Sequence, residues 1–257
     1  MRTTLAILLA TAALPAAAQT AIGLAGDRTL LTIDPATAAV SAEVEAGVEG
    51  RLLGIDYRPG TGQLIGVTAD QAVVAIDPAT GEATELSRMA TPLPLVEGQA
   101  VVVDFNPVAD RLRFMTGTTN HRVDVDTGEV TVDGSLAFEP GDAGEAAAPM
   151  VGAAAYTNSF GTPEETAMFD IDVGTGSLLR QTSPNDGTLA TIGSLGMVPA
   201  GAVAFDVAGT SEGGNTAYLV AGGRLHTLDL GTGAPDEGLE ITGASGEIRD
   251  IAVMPAM

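Results

Sequence analysis

Leu52-Leu-Gly-Ile-Asp-Tyr-Arg-Pro59, Gln63-Leu-Ile-Gly-Val-Thr68, Val73-Val-Ala-Ile-Asp-Pro-Ala-Thr-Gly81 and Glu82-Ala-Thr-Glu-Leu86 are four short strand-like pieces divided by turn residues. Pro59 has no N–H for a sheet ladder, so the first piece stops there. The middle pieces are rich in Val and Ile, which suit a pleated sheet. Asp77-Pro-Ala-Thr-Gly81 supplies the next turn: Asp bonds its own downstream backbone, Pro presets φ and Gly accepts positive φ. Together the pieces predict one small antiparallel sheet.

The unit recurs. Tyr57, Phe105, Tyr156, Phe205 and Val253 close successive apolar first strands, at steps of 48, 51, 49 and 48 residues. The turn marker recurs as Asp34-Pro-Ala-Thr37, Asp77-Pro-Ala-Thr-Gly81, Asp124-Val-Asp-Thr-Gly128, Asp172-Val-Gly-Thr-Gly176 and Asp229-Leu-Gly-Thr-Gly233. A period of about 40–50 residues with four strands each is the signature of propeller blades. The expected fold is all-β, a five-bladed β-propeller. Glu247 to Pro255 is a first strand with nothing after it, and Ala21 to Val44 is a blade lacking its first strand. Joining them closes the ring and removes a free edge. The fourth repeat is irregular around Asn158-Ser-Phe-Gly-Thr-Pro-Glu164, which leaves six sheets as an alternative count.

Residues 1–18 read as a signal peptide: Arg2, the apolar run Leu5 to Leu14, then Ala16-Ala-Ala18 before Gln19. Residues 19–257 then form one domain, placed in the periplasm or secreted, not membrane-embedded and monomeric. The chain has no Cys, which excludes disulfides, thiol catalysis and thiolate metal sites. Its formal net charge of −22 repels nucleic acid and anionic lipid, so neither is an expected partner. No cofactor is expected, and the partner is an unidentified protein or small molecule.

At Gly54-Ile-Asp-Tyr-Arg-Pro59, Gly62-Gln-Leu64, Asp104-Phe-Asn-Pro-Val-Ala-Asp-Arg-Leu-Arg113, Ala154-Ala-Tyr-Thr-Asn158 and Asn185-Asp-Gly-Thr-Leu-Ala-Thr-Ile-Gly-Ser-Leu195, the chain resembles a bacterial family of exported proteins, the uncharacterised domain-of-unknown-function family 4394. The resemblance spans nearly all of residues 19–257. It implies a repeated β fold and export, and brings no activity, cofactor or catalytic residue.

Candidate sites therefore come from the residues. The third repeat is the most polar. It gathers Asn106, Arg111, Arg113, His121 and Arg122 as ligand-binding candidates, because Arg grips carboxylate or phosphate with two prongs. The same residues fit a structural cluster in which Asp104 or Asp110 pairs with Arg111 or Arg113. Asp56 and Asp104 hold equivalent places on first strands, with Ala155, Ala204 and Ala252 in the later repeats. They are the candidate catalytic pair of a glycan-type hydrolase, which needs two carboxyl groups flanking the scissile bond. They also fit strand-end caps. Asp124 and Asp126 alternate as hard-cation ligands do, yet lack the remaining ligands of a calcium loop. His121 and His226, the two histidines, have no metal-site spacing. The leading expectation is a binding or interaction module. The alternatives are an extracellular hydrolase and a structural envelope protein without a small ligand.

Overall fold

The structure, a computed structural model, describes residues 19–254; the expected signal peptide lies outside the described residues. All regular elements among them are strands, arranged as five small sheets. From the axis outward, blade 1 is Ile248–Val253, Ala21–Ala25, Thr29–Asp34 and Ala39–Glu45. Blade 2 is Leu52–Arg58, Gln63–Thr68, Ala72–Ile76 and Ala83–Arg88. Blade 3 is Val101–Asn106, Arg111–Thr116, Thr119–Val123 and Val130–Val132. Blade 4 is Val151–Tyr156, Met168–Asp172, Ser177–Ser183 and Thr188–Ser194, with Ala137–Phe138 added in parallel at its outer edge. Blade 5 is Ala204–Gly209, Asn215–Ala221, Arg224–Leu228 and Leu239–Glu240.

The innermost strands touch in cyclic order, and the ring closes where Ile248–Val253 pairs antiparallel with Ala21–Ala25. This is the expected five-bladed propeller. Five apolar cores lie between successive blades. A four-stranded sheet buries too little alone, and each blade here covers both faces against its neighbours.

The turn marker does the same job in every blade. The Oδ1 of Asp34, Asp77, Asp124, Asp172 and Asp229 accepts the N–H two residues on. Gly81, Gly128, Gly176 and Gly233 follow with positive φ. The carbonyls of Gly81, Gly128 and Gly176 then accept N–H groups of Gly47, Ala90 and Leu195, so these hairpin turns also pin the interblade connections.

One alignment from the sequence is corrected. The residue equivalent to Tyr57, Phe105 and Tyr156 in blade 5 is Val207, not Phe205. Asp206 accepts the Val253 N–H as Asp56 accepts that of Phe105 and Asp104 that of Tyr156. The place expected for Ala204 therefore holds Asp206.

The axial strands approach closely. A Cβ on Gly54 would lie 2.7 Å from both Asp250 Oδ2 and Val103 Cγ2. Gly54→Ala should lower stability by about 1–3 kcal/mol, as overpacking does, and equilibrium denaturant unfolding measures it.

Candidate functional site

The axis carries a carboxyl cluster. Asp56, Asp104 and Asp206 project from three inner strands at one level, with Ala155 and Ala252 completing the ring. One carboxylate oxygen from each lies within 4.8 Å of the others. Asp250 is one layer away, and its Oδ2 accepts the Ile55 N–H at 2.8 Å. These carboxyls form a clasp: Asp56 ties blade 2 to blade 3, Asp104 blade 3 to blade 4, Asp206 blade 5 to blade 1 and Asp250 blade 1 to blade 2. Ala155 leaves the step from blade 4 to blade 5 without one.

Burial penalises the charged form, so all four carboxyls are pushed up. Desolvation is the largest cause for each, and mutual repulsion adds to it for Asp56, Asp104 and Asp250. Asp250 reaches about 7. Chemically the cluster can share protons. Asp56, Asp104 and Asp206 are also the residues placed to hold a metal ion. As a hydrolytic pair, Asp56 and Asp104 are 7% and 4% exposed and engaged with backbone N–H groups. Neither lines the clefts described below.

The third-repeat candidates divide. Arg113 is 1% exposed and sits between blades 3 and 4. Its guanidinium donates to Asp133 (2.7 Å), Asn120 (2.8 Å), Tyr156 Oη (3.1 and 3.2 Å) and Asn185 (3.3 Å). Arg122 also donates to Asp133, at 2.6 and 2.9 Å. Asn106 caps the following turn by accepting the N–H groups of Val108 and Ala109. Arg111 pairs with Asp124 at 3.0 Å. His121 is buried, its Nδ1 has no partner, and desolvation lowers its pKa. The structure joins Arg113 and Arg122 through Asp133; Asn106 and Arg111 are cross-strand partners flanking the turn 107–110, away from that pair.

Asp126 and Asp110 converge on Arg58 of blade 2, a residue the sequence reading did not single out. Arg58 donates to Asp110 at 2.7 and 2.6 Å and to Asp126 at 2.9 and 2.8 Å. Both cation-ligand candidates, Asp124 and Asp126, are thus engaged by guanidinium groups. His226 lies in blade 5, with Nδ1 3.0 Å from the Asp236 carbonyl oxygen.

The largest irregularity is on the face where the inner strands end. There the connection to the second strand is 59–62 in blade 2, 107–110 in blade 3 and 210–214 in blade 5, but 157–167 in blade 4. This long loop is pinned. Asn158 N donates to Asn215 Oδ1 at 2.7 Å, and Asn215 Nδ2 donates back to Asn158 Oδ1 at 2.8 Å. Thr157 and Ala167 bond each other across its base. Ser159 bridges to Ala208, an approach open because Gly209 has no side chain: a Cβ there would meet Ser159 N at 2.7 Å. Between this loop and 210–215 lies a cleft of 580 Å³, lined by hydroxyls, amides, Phe160, Glu164 and Glu165, and by no basic residue. A smaller, more apolar cleft of 340 Å³ lies on blade 2 beside Tyr57 and Met254.

A family model for a domain of unknown function, DUF4394, matches residues 29–252. The chain belongs to the DUF4394 family. No curated protein matches it. Among solved structures, it is similar to a luciferin-regenerating enzyme at 13% identity and TM-score 0.50, covering 84% of this chain and 70% of that one. A protein of unknown function from Bacteroides caccae shares 14% identity at TM-score 0.46, over 90% of this chain and 76% of that one. An auxiliary nutrient binding protein from Bacteroides ovatus shares 14% identity at TM-score 0.48, over 77% and 55%. At 13% identity the likeness to the luciferin-regenerating enzyme is one of fold. Among the described residues of this DUF4394 member, no helix is long and apolar enough to cross a membrane.

Two predictions follow from the buried charges. The axial carboxyls hold more protons folded than unfolded, so their contribution is full below the ordinary Asp value of 3.8 and is lost as pH rises through their raised values, about 6 for Asp206 and about 7 for Asp250. Denaturant unfolding across that pH interval should show the decline. Arg113→Ala leaves Asp133 to Arg122 alone, takes donors from Asn120 and Tyr156 and empties the volume of a large buried side chain, and should cost about 3–5 kcal/mol of stability. A pure ligand-binding role for Arg113 would leave that unfolding midpoint unmoved.

Proposed function

We propose that this DUF4394 protein is an exported binding module that takes a small, neutral, polyhydroxylated ligand, such as a saccharide, in the cleft between blades 4 and 5. The observation that carries the reading is the loop 157–167, which breaks the repeat on one face of the ring and forms a wall of that cleft. Connections that depart from a regular scaffold are where binding residues collect, because the sheets hold them in place.

The lining argues for the ligand class. Thr162, Thr210 and Ser211 offer hydroxyls, Glu164 and Glu165 offer acceptors, and Phe160 offers one aromatic face, while Asn158 and Asn215 hold the wall in place. Without a basic residue, and on a chain of net charge −22, an anion is repelled. The guanidinium groups that would grip an anion are occupied: Arg113, Arg122 and Arg58 are committed to carboxylates of the fold.

The test is isothermal titration of the purified protein with neutral sugars and polyols, with amines, and with carboxylates and phosphates. Binding of a sugar or polyol, weakened about tenfold (about 1.4 kcal/mol) in Phe160→Ala, is the expected result. Anion binding, or sugar binding indifferent to Phe160, would overturn the assignment.

A further inference from the structure

The blade 3–blade 4 interface holds a buried acid that the clasp and the cleft do not use. Asp170, 0% exposed, lies on the second strand of blade 4, and Gln181, 3% exposed, lies on the third. Asp170 pairs in register with Leu179, so Gln181 is its diagonal neighbour on the same face. Gln181 Nε2 donates to Asp170 Oδ1 at 2.8 Å and faces Met115 Sδ of blade 3 at 3.7 Å. The other two oxygens, Asp170 Oδ2 and Gln181 Oε1, are buried and have no partner.

Both orphans are acceptors if Asp170 is ionised, and two buried acceptors without a donor are costly. A single proton resolves them together. A carboxylic acid and a primary amide close a ring of two hydrogen bonds, N–H to carbonyl oxygen and O–H to amide oxygen. The first bond of that ring is present. The amide's second N–H is left over, on the side where Met115 Sδ lies.

We propose that Asp170 is carried as the neutral acid, with its Oδ2–H donating to Gln181 Oε1, and that this acid–amide pair is a protonation-dependent lock between the second and third strands of blade 4, on the face that meets Met115 of blade 3. The charged groups around it fit a neutral occupant. Arg113 faces Asp170 from blade 3, but its charge is already met by Asp133, which Arg122 also contacts. Asp104 lies on the inner strand of blade 3 and Asp172 two residues along Asp170's own strand, and both are acids. Asp172 is occupied with the N–H groups of Met150, Gly174 and Thr175. Burial pushes Asp170 up to about 7, with opposing pulls from Gln181 and Arg113. The lock is therefore closed in acid and opens as pH rises through neutrality.

The deciding experiment compares the parent protein with Asp170→Asn by denaturant unfolding at about pH 5 and about pH 8.5, either side of the titration. Asparagine supplies a permanent donor where the acid supplies its proton. From the lower pH to the higher, Asp170→Asn should gain stability relative to the parent. A gap that does not change with pH, or one that grows in favour of the parent, would overturn the proposal. If the variant fails to fold, carbon-13 NMR titration of the aspartate carboxyls in the parent decides. Asp170 titrating at about 7 supports the lock, and titration at or below the ordinary value of 3.8 refutes it.

Discussion

The ring depends on carboxylates that reach from one blade to the backbone of the next. Sheets packed face to face gain apolar burial in many relative positions, because burial is not directional. A hydrogen bond from the Phe105 N–H to Asp56, or from the Val253 N–H to Asp206, is satisfied in one position only. The apolar cores supply attraction, and the axial carboxyls set register between blades. The cost is a set of acids crowded in low dielectric, which is why their pKa values climb and why the fold is coupled to pH.

The five interfaces are not equivalent. Between blades 2 and 3 the packing is Val, Leu, Ile and Phe, with Arg58 clamping the end. Between blades 3 and 4 part of the volume is given to Arg113, Asn120, Asp133, Asp170 and Gln181. Such a network specifies geometry sharply when every member is paired and weakens when one is not. The interface between blades 4 and 5 has no axial carboxyl at Ala155, and the cleft opens there.

The repeat was readable because two local signals recur: a Val- and Ile-rich strand, and an Asp turn closed by glycine. Both act over a few residues, so spacing reveals them. What sequence reading missed lies across blades. Following the aromatic gave Phe205 as the partner of Tyr57; following the acid in Asp56-Tyr57, Asp104-Phe105 and Asp206-Val207 recovers the true register and the third axial carboxyl. Arg58 had no local sign of its partners, since Asp110 and Asp126 are 52 and 68 residues away. The polar run of the third repeat looked like a binding site because charge density is visible in sequence and pairing is not. The loop 157–167 showed as an irregularity, but its wall against 210–215 is a contact between blades.

The closing strand also sets an order of events. Ala21–Ala25 is buried along its whole length, and one of its two edges is covered by Ile248–Val253. During translation the partner strand follows roughly 220 residues later. Until then the edge is an open template for another chain. A holding chaperone would keep such a nascent ring from pairing with its neighbours until that strand arrives.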